Sequence, residues 1–362
     1  MSTRSMQATG PTIGDVGGRS VVLAYGSVSA EYESLHNRAA VFDRSHRGRL
    51  RVQGPRAAEM VTGLVTNDVS ALAPGQGCYA AALTAKGKIV ADVRVFVEEE
   101  GVLVDAPPRA AAAWAAMVRK FVNPRIAPHA DESASLRDIG VFGATAHHVI
   151  SDLTGVPAPA LTALAPYAHM SVEVQGSPIR IVKVPELEVE GFELLVPSEA
   201  FTPLWAAVVV AGATPAGLEA WDIARVEAGR PEWGVDMDDN TIPQEANFDA
   251  LHAISYTKGC YVGQETVARV HFRGHVNKHL RGVRAAGMDP IHSGATLHDE
   301  GGAQVGDVRS AVRSPRLGAI ALAMIRREVE PGAALIARSP GEGEDATPVD
   351  RRVDVAALPF SV

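Results

Sequence analysis

The segment from Gly75 to Pro107, GQGCYAAALTAKGKIVADVRVFVEEEGVLVDAP, leaves few folds open to this chain. It reads as three short apolar strands joined by glycine-containing turns at KGK and EEEG, and turns that tight force the strands to run antiparallel. A helix follows at once: Pro108 opens PRAAAAWAAMVRKFV, in which Trp114, Met117 and Phe121 fall at helical spacing. Strands in a run and then a helix, not strict alternation, is the order of an α+β arrangement.

The flanking sequence extends this pattern. Upstream, SAEYESLHNRAAVFD reads as a helix capped by Ser29 with Tyr32, Leu35 and Ala39 on one face; GRLRVQG alternates as a strand; PRAAEMVTGLVTNDV resumes as a helix from Pro55. Downstream, a strand (ASLRDIGVFG), a helix (GATAHHVISDLTG), a strand pair turning at Gly176-Ser177, a strand (EGFELLVP) and a helix capped by Ser198 repeat the same grain. Two related lobes are expected, at residues 20–135 and 136–274, free to interleave in sequence, the second carrying the Cys260 segment. Beyond Gly274 the texture shifts to short alternating runs with regular turns, which predicts a small β-barrel over 275–340. Residues 1–19 and 341–362, rich in Gly and in Ser and Thr or Glu and Pro, are expected to be a disordered start and a loose tail.

Charge and cysteine content narrow the function class. A net charge of −8 argues against a nucleic-acid partner, which needs a basic field. No stretch approaches the roughly 18 apolar residues of a membrane span, and the start lacks the apolar core of a signal peptide. The two cysteines, Cys78 and Cys260, are too few for a disulfide framework or for a cluster that takes four thiolates. A soluble cytoplasmic protein is the expectation.

The chemistry concentrates in SYTKGCYVGQETVARVHFRG. Lys258 precedes Cys260 by two residues and a helix start near Gly263 follows it; a cation and a helix N-terminus both favour the reactive thiolate. Gly259 and Gly263 would allow another molecule to approach closely. Against this stands the bland reading, since free cysteine is among the most buried residue types; that reading is preferred for Cys78. Asp92 sits on an apolar strand and is a candidate general acid/base, or a strand-edge acid facing water. Glu190 and Glu193, with Arg225 and Glu227, could hydrogen-bond a polar heterocycle or form structural ion pairs. His271, His275 and His279 lack supporting ligands at metal spacing, so no metal site is assigned.

KGCYVGQE, Lys258 to Glu265, resembles the signature of the YgfZ-type folate-binding proteins. The chain from about residue 25 to 338, including EGFELLVP, ARVEAGRPEWGVDMDDNTIPQEA and SPRLGAIALAMIRREVEPGAAL, is similar to the wider aminomethyltransferase (glycine-cleavage T-protein) superfamily. The resemblance implies a three-domain α+β cloverleaf around a central cavity holding tetrahydrofolate, with a small C-terminal β-barrel. It implies a role in assembling or repairing iron–sulfur clusters alongside client or assembly proteins. Lys258, Gly259, Cys260, Tyr261, Gly263, Gln264 and Glu265 would form the functional loop, and Glu190, Glu193 and Arg225 would contact the pterin. One position departs: aminomethyltransferases place paired acids where this chain has Ala91 and Asp92. If the missing acid orients the aminomethyl nitrogen, transfer would fail while folate binding survived. The leading expectation is therefore a folate-binding iron–sulfur accessory protein acting through Cys260. The alternatives are an aminomethyl or one-carbon transferase using Asp92, and a non-catalytic binder of folate, another pterin or a flavin.

Overall fold

In a computed structural model, which describes residues 10–286, 290–340 and 348–361, the chain begins with a hairpin of β1 (Thr12–Val16) and β2 (Arg19–Ala24). Gly17 and Gly18 turn it at positive φ, a conformation open to glycine without steric cost. The expected disorder through residue 19 is thus wrong from Thr12 onward: the glycines that mimicked an irregular segment are the hairpin's turn. Helix α1 (Val28–Asn37) is capped by Ser27, whose hydroxyl accepts from the Ala30 N–H, two residues before the expected cap.

The first lobe holds β4 (Gly48–Gln53), the short α2 (Ala57–Thr62), the meander β5 (Gly77–Leu83), β6 (Ile89–Glu98) and β7 (Gly101–Ala106), then α3 (Pro108–Phe121) and β8 (His129–Asp131). Its sheet runs β5-β6-β7-β4-β8, antiparallel throughout. Period-two alternation divides β6 between two environments. Ala91, Val93, Val95 and Val97 pack beneath α3 with Trp114, Met117 and Val118, while Phe96 joins the core on the opposite, central side.

The second lobe is built from β9 (Leu136–Phe142), α4 (Ala146–Thr154), α5 (Ala158–Thr162), β10 (His169–Val174), β11 (Ser177–Lys183), β12 (Gly191–Pro197), α6 (Phe201–Val210) and β13 (Thr214–Pro215). Its sheet order is β10-β11-β12-β9-β3-β13, where β3 (Ala40–Asp43) comes from before the first lobe. The lobes do interleave. Ile139, Val141, Phe192, Leu194 and Val196 face the helices, and their strand neighbours face the centre of the molecule. Helix α7 (Leu218–Glu227) is almost wholly buried there.

Helix α8 (Gln264–Arg273) leads into a closed barrel of β14 (Lys278–Ala285), β15 (Thr296–His298), β16 (Gln304–Ser314), β17 (Gly318–Arg326), β18 (Ala334–Ser339) and β19 (Val349–Ala356). The tail expected beyond residue 340 includes β19, which pairs with both β14 and β18 and so closes the barrel, leaving no open edge. Residues 341–347 of that expected tail lie outside the described residues. Among the described residues no helix is long and apolar enough to cross a membrane.

Candidate functional site

Alternation also dictates what meets where the helix-free faces of the two sheets converge. Arg49 on β4, Arg94 on β6, Asp105 on β7, Asp138 on β9 and Glu193 on β12 are all buried there. Arg94 ties the sheets together, 2.9 Å from Asp105 and 2.7 Å from Glu193; Arg49 lies 2.8 Å from Asp138 and 3.4 Å from Asp105. The β3–β4 connection adds Arg47, which donates to Asp105 at 2.5 Å, and Arg44, 3.6 Å from Glu193 and 3.8 Å from Glu186. Burying an ion costs several kcal/mol, so the four guanidiniums meet four carboxyl groups, of which Asp138 is raised well above the usual carboxylate range by its burial and by the neighbouring Glu193. Burial alone would raise the Asp105 carboxyl, but Arg47, Arg94 and Arg49 hold it well below the usual carboxylate range. Glu186 is likewise brought down to about 2, burial opposing and Arg94 and Arg47 prevailing.

Beside this cluster lies a central cavity of about 160 Å³, bounded by Arg44, Arg47, Tyr79, Asp92, Trp221 and Arg230 among others. A second cavity, about 470 Å³, shares Tyr79, Glu186 and Arg230 with it and is also lined by Cys78, Tyr167 and His252. Tyr79 is the common wall. Its ring stacks with Phe248 at 5.3 Å and Tyr167 at 6.3 Å, and the Arg230 guanidinium covers it at 4.8 Å while donating to the Tyr167 hydroxyl at 3.0 Å. The Arg44 guanidinium lies 3.7 Å above the Trp221 ring, so cation and aromatic face reach the cavity as one unit.

Asp92 is the carboxylate best placed for chemistry. It is 7% exposed, lines the central cavity, and its Oδ2 accepts a 3.0 Å hydrogen bond from the Tyr79 hydroxyl. Its Oδ1 is buried and has no hydrogen-bond partner. Burial raises the carboxyl to about 6, with Arg47 and the Tyr79 hydrogen bond pulling the other way. Its neighbour Ala91 is fully buried in the core under α3, on the opposite face of β6. The argument that Ala91 marks a lost cavity acid therefore fails: strand alternation sends that position away from the cavity and leaves Asp92 in it.

The KGCYVGQE segment packs on the first lobe, not on the second as its sequence position implied. Ser255 N–H donates to the Thr66 carbonyl and Val262 N–H to the Gly63 carbonyl. The Lys258 ammonium donates to the carbonyls of Thr62, Val65 and Asn67 at 2.5, 2.7 and 2.8 Å, and lies 4.7 Å from the Tyr261 ring centre. Burial lowers it to about 8, with Asp68 opposing. Lys258 is thus the pin of the loop, its donors spent on backbone, instead of a cation held free for the thiol. Gly263 caps α8 at φ +84°, and a Cβ there would sit 2.5 Å from the Thr84 carbonyl oxygen. Gly259 has open space around it, so no part of the chain approaches it closely. Cys260 is exposed, while burial pushes the Cys78 thiol up to about 12.

The sequence-derived residues therefore separate into groups. Asp92 and Arg225 line the central cavity; Lys258, Gly259, Cys260, Tyr261, Gly263, Gln264 and Glu265 line neither cavity. Arg225 spends its donors on Asp222, Asp236 and the Ser310 hydroxyl, tying α7 to the barrel. Glu190 pairs with His147 and Lys183 at 2.5 Å and lines neither cavity; Glu193 is locked among the buried arginines. Neither matches the expected pterin contact. Glu227 accepts from the Tyr32 and Ser314 hydroxyls. Missed were Arg44, Arg47, Tyr79, Glu186, Trp221 and Arg230. For Tyr79 a signal existed: β5 lies beside β6, so a polar tip there can meet Asp92. Glu186 lies in a connection, and no pattern marks it.

Comparison with known proteins agrees with this architecture. Residues 2–255 match the GCVT N-terminal domain and residues 278–353 the glycine cleavage T-protein C-terminal barrel domain. The aminomethyltransferase of Thermosynechococcus vestitus is 33% identical, covering 84% of this chain and 81% of the relative. That of Rubrobacter xylanophilus is 32% identical over 98% of this chain and 91% of its own. The crystal structure of glycine cleavage system aminomethyltransferase T from Bartonella henselae superposes with a TM-score of 0.85, over 97% of this chain and 94% of that one, at 22% identity, and shares the fold. The chain belongs to the glycine cleavage T-protein family.

Proposed function

We propose that this chain binds tetrahydrofolate with its pterin in the central cavity and the rest of the molecule in the larger cavity that shares Tyr79, Glu186 and Arg230 with it, and serves a one-carbon transfer of the aminomethyl type, with Asp92 as the group that holds or moves the proton. The observation that carries the reading is the buried, partnerless Oδ1 of Asp92 on the cavity wall. The lining suits such a ligand. A reduced pterin offers N–H donors and a flat ring; Asp92 and Glu186 supply acceptors, and Trp221 and Tyr79 aromatic surface. Arg230, which donates to the neutral Tyr167 hydroxyl, supplies a cation for a glutamyl carboxylate. When bound, the reduced pterin provides the nitrogen that accepts a one-carbon unit. Tyr79 fixes the Asp92 carboxyl through Oδ2 and leaves Oδ1 without a hydrogen-bond partner, and a carboxyl raised to about 6 exchanges protons readily near neutral pH. The relatives' common name and the cavity position of Asp92, with Ala91 turned away, favour this reading.

The test is transfer from an aminomethyl-loaded lipoyl carrier to tetrahydrofolate, with affinity measured by calorimetry beside other pterins and flavins. Asp92→Asn is expected to lose about 100-fold or more in rate with folate affinity kept. No binding of any folate sinks the ligand; tight binding with no transfer by the wild type sinks the transferase.

A second reading is favoured by one feature, the exposed Cys260 on a loop pinned by Lys258 and Gly263. In it the chain is a YgfZ-type accessory protein for iron–sulfur assembly or repair, its thiol acting on a client or assembly protein. One thiol supplies one ligand, so any cluster it touches takes its remaining ligands from that partner. Under this reading Cys260→Ala abolishes support of iron–sulfur enzymes in cells while Asp92→Asn retains it; the reverse pattern rejects it.

A further inference from the structure

We propose that α8 and the groove beside it dock an acidic protein surface and so bring that partner to Cys260; this rests on the reading of Cys260 as a working thiol. Helix α8 starts four residues after Cys260 and buries a single side chain, Val267. A helix held by its own chain normally buries a broad apolar stripe, so most of α8 faces outward. That outer surface carries Arg269, Arg273 and Phe272, the last 67% exposed.

The helix is anchored close to the loop and to a basic groove. Cβ atoms added at Gly263 and Gly87 would meet the Thr84 carbonyl oxygen at 2.5 Å and Thr266 at 2.6 Å, so the start of α8 lies against the Thr84–Lys88 turn. Lys88 of that turn lines a groove of about 610 Å³ together with Lys278, Arg326 and Arg327. The groove's acids are Glu245, which accepts from the Ile242 N–H, and Glu328; α8 adds Glu265. Arg269, Arg273, Arg326 and Arg327 have no ion-pair partner among the described residues.

The charge distribution identifies the partner. The chain has 42 acids against 34 lysines and arginines, yet the groove and α8 together carry six cations, Lys88, Arg269, Arg273, Lys278, Arg326 and Arg327, against three acids, Glu245, Glu265 and Glu328. A basic patch on an acidic protein steers acidic surfaces toward itself while the remainder of the molecule repels them. Exposed arginines around an aromatic ring are also the composition that carries binding energy in protein interfaces. A flat helix and a wide groove suit a folded surface better than a small anion.

The test uses acidic, neutral and basic peptides of equal length, each carrying one cysteine as a pyridyl disulfide. The Cys260 thiolate attacks the peptide sulfur, forming the mixed disulfide and releasing thiopyridone, whose absorbance gives the rate; Cys260→Ala supplies the background. At about 20 mM salt the acidic peptide is expected to react roughly tenfold faster than the neutral one, the advantage vanishing near 500 mM. The double variants Arg269→Glu/Arg273→Glu and Arg326→Glu/Arg327→Glu should each erase most of it. Equal rates for acidic and neutral peptides overturn the proposal. So does a duplex RNA that blocks the face at lower concentration than the acidic peptide, which would make it a phosphate-binding surface. Full iron–sulfur enzyme activity in cells carrying Cys260→Ala would instead remove the thiol reading, leaving the rate comparison standing, so the two failures are distinguishable.

Discussion

Asp92→Asn is expected to make the protein more stable while it removes the proton-handling group. Asp92 keeps one oxygen without a partner and is raised from its ordinary value of 3.8 to about 6, burial being the largest cause. A carboxyl whose folded value is raised binds more protons in the folded state than in the unfolded state between those two values. Stability from this group is therefore greatest below about pH 4, falls as pH rises toward 6, and stays lowered above it. Two units at 1.36 kcal/mol each give about 3 kcal/mol lost at pH 7.5, and about half that at pH 5. Asparagine is the same size, still accepts from the Tyr79 hydroxyl, and carries no charge to desolvate. Urea unfolding should show Asp92→Asn more stable than wild type by about 1–3 kcal/mol at pH 7.5, the upper limit being full removal of the penalty. The gap should shrink by about half at pH 5. A variant no more stable at pH 7.5, or a gap that does not change with pH, would refute the claim that this carboxylate is a buried charge only partly compensated by Arg47 and Tyr79.

Other consequences follow from the loop and the ion cluster. Gly263→Ala places a Cβ against the Thr84 carbonyl at positive φ and should cost about 2 kcal/mol or more, whereas Gly259→Ala, in open space, should stay within about 0.5 kcal/mol; urea midpoints of the pair decide it. Lys258→Met orphans the carbonyls of Thr62, Val65 and Asn67, so a loss of about 3 kcal/mol is expected, with faster amide exchange confined first to residues 255–263. Arg94→Met leaves Asp105 and Glu193 short of a counter-ion and should cost about 3–5 kcal/mol by the same unfolding assay.

The sequence made the elements legible because periodicity is local: the β5–β7 meander, α3 and the barrel strands could all be read from spacing and turns. What it hid was pairing across distance. That β3 belongs to the second sheet depends on its register with β9, nearly a hundred residues later, and no local pattern encodes it. The tail strand β19 was obscured for the opposite reason, since VDRRVDVA follows a Gly- and Glu-rich stretch and is itself half charged. At the site, the motif drew attention to Cys260 because its residues are consecutive. The cavity's walls come from β5, β6, the β3–β4 connection, the stretch near Glu186, and α7 with the segment after it. Of these walls only Asp92, the single acid on an apolar strand, and Arg225 stood out beforehand.

That difference bears on how the two candidate centres should be weighed. Signature residues that are consecutive need only one loop to be kept in place, and this loop is kept by Lys258, Tyr261 and Gly263 with Cys260 projecting from it. The cavity instead requires four arginines and four carboxyl groups to keep their pairing between two sheets. Such a cluster is a poor source of stability compared with apolar packing. Its geometric effect is specific: Arg47 and Glu186 belong to it and also line the wall around Asp92. Replacing the cluster with apolar side chains would keep the lobes together but take from the cavity the guanidinium that opposes the rise of Asp92, pushing that carboxyl higher still. The buried charges are therefore best understood as part of the Asp92 centre, with the Cys260 loop a separate unit on the first lobe.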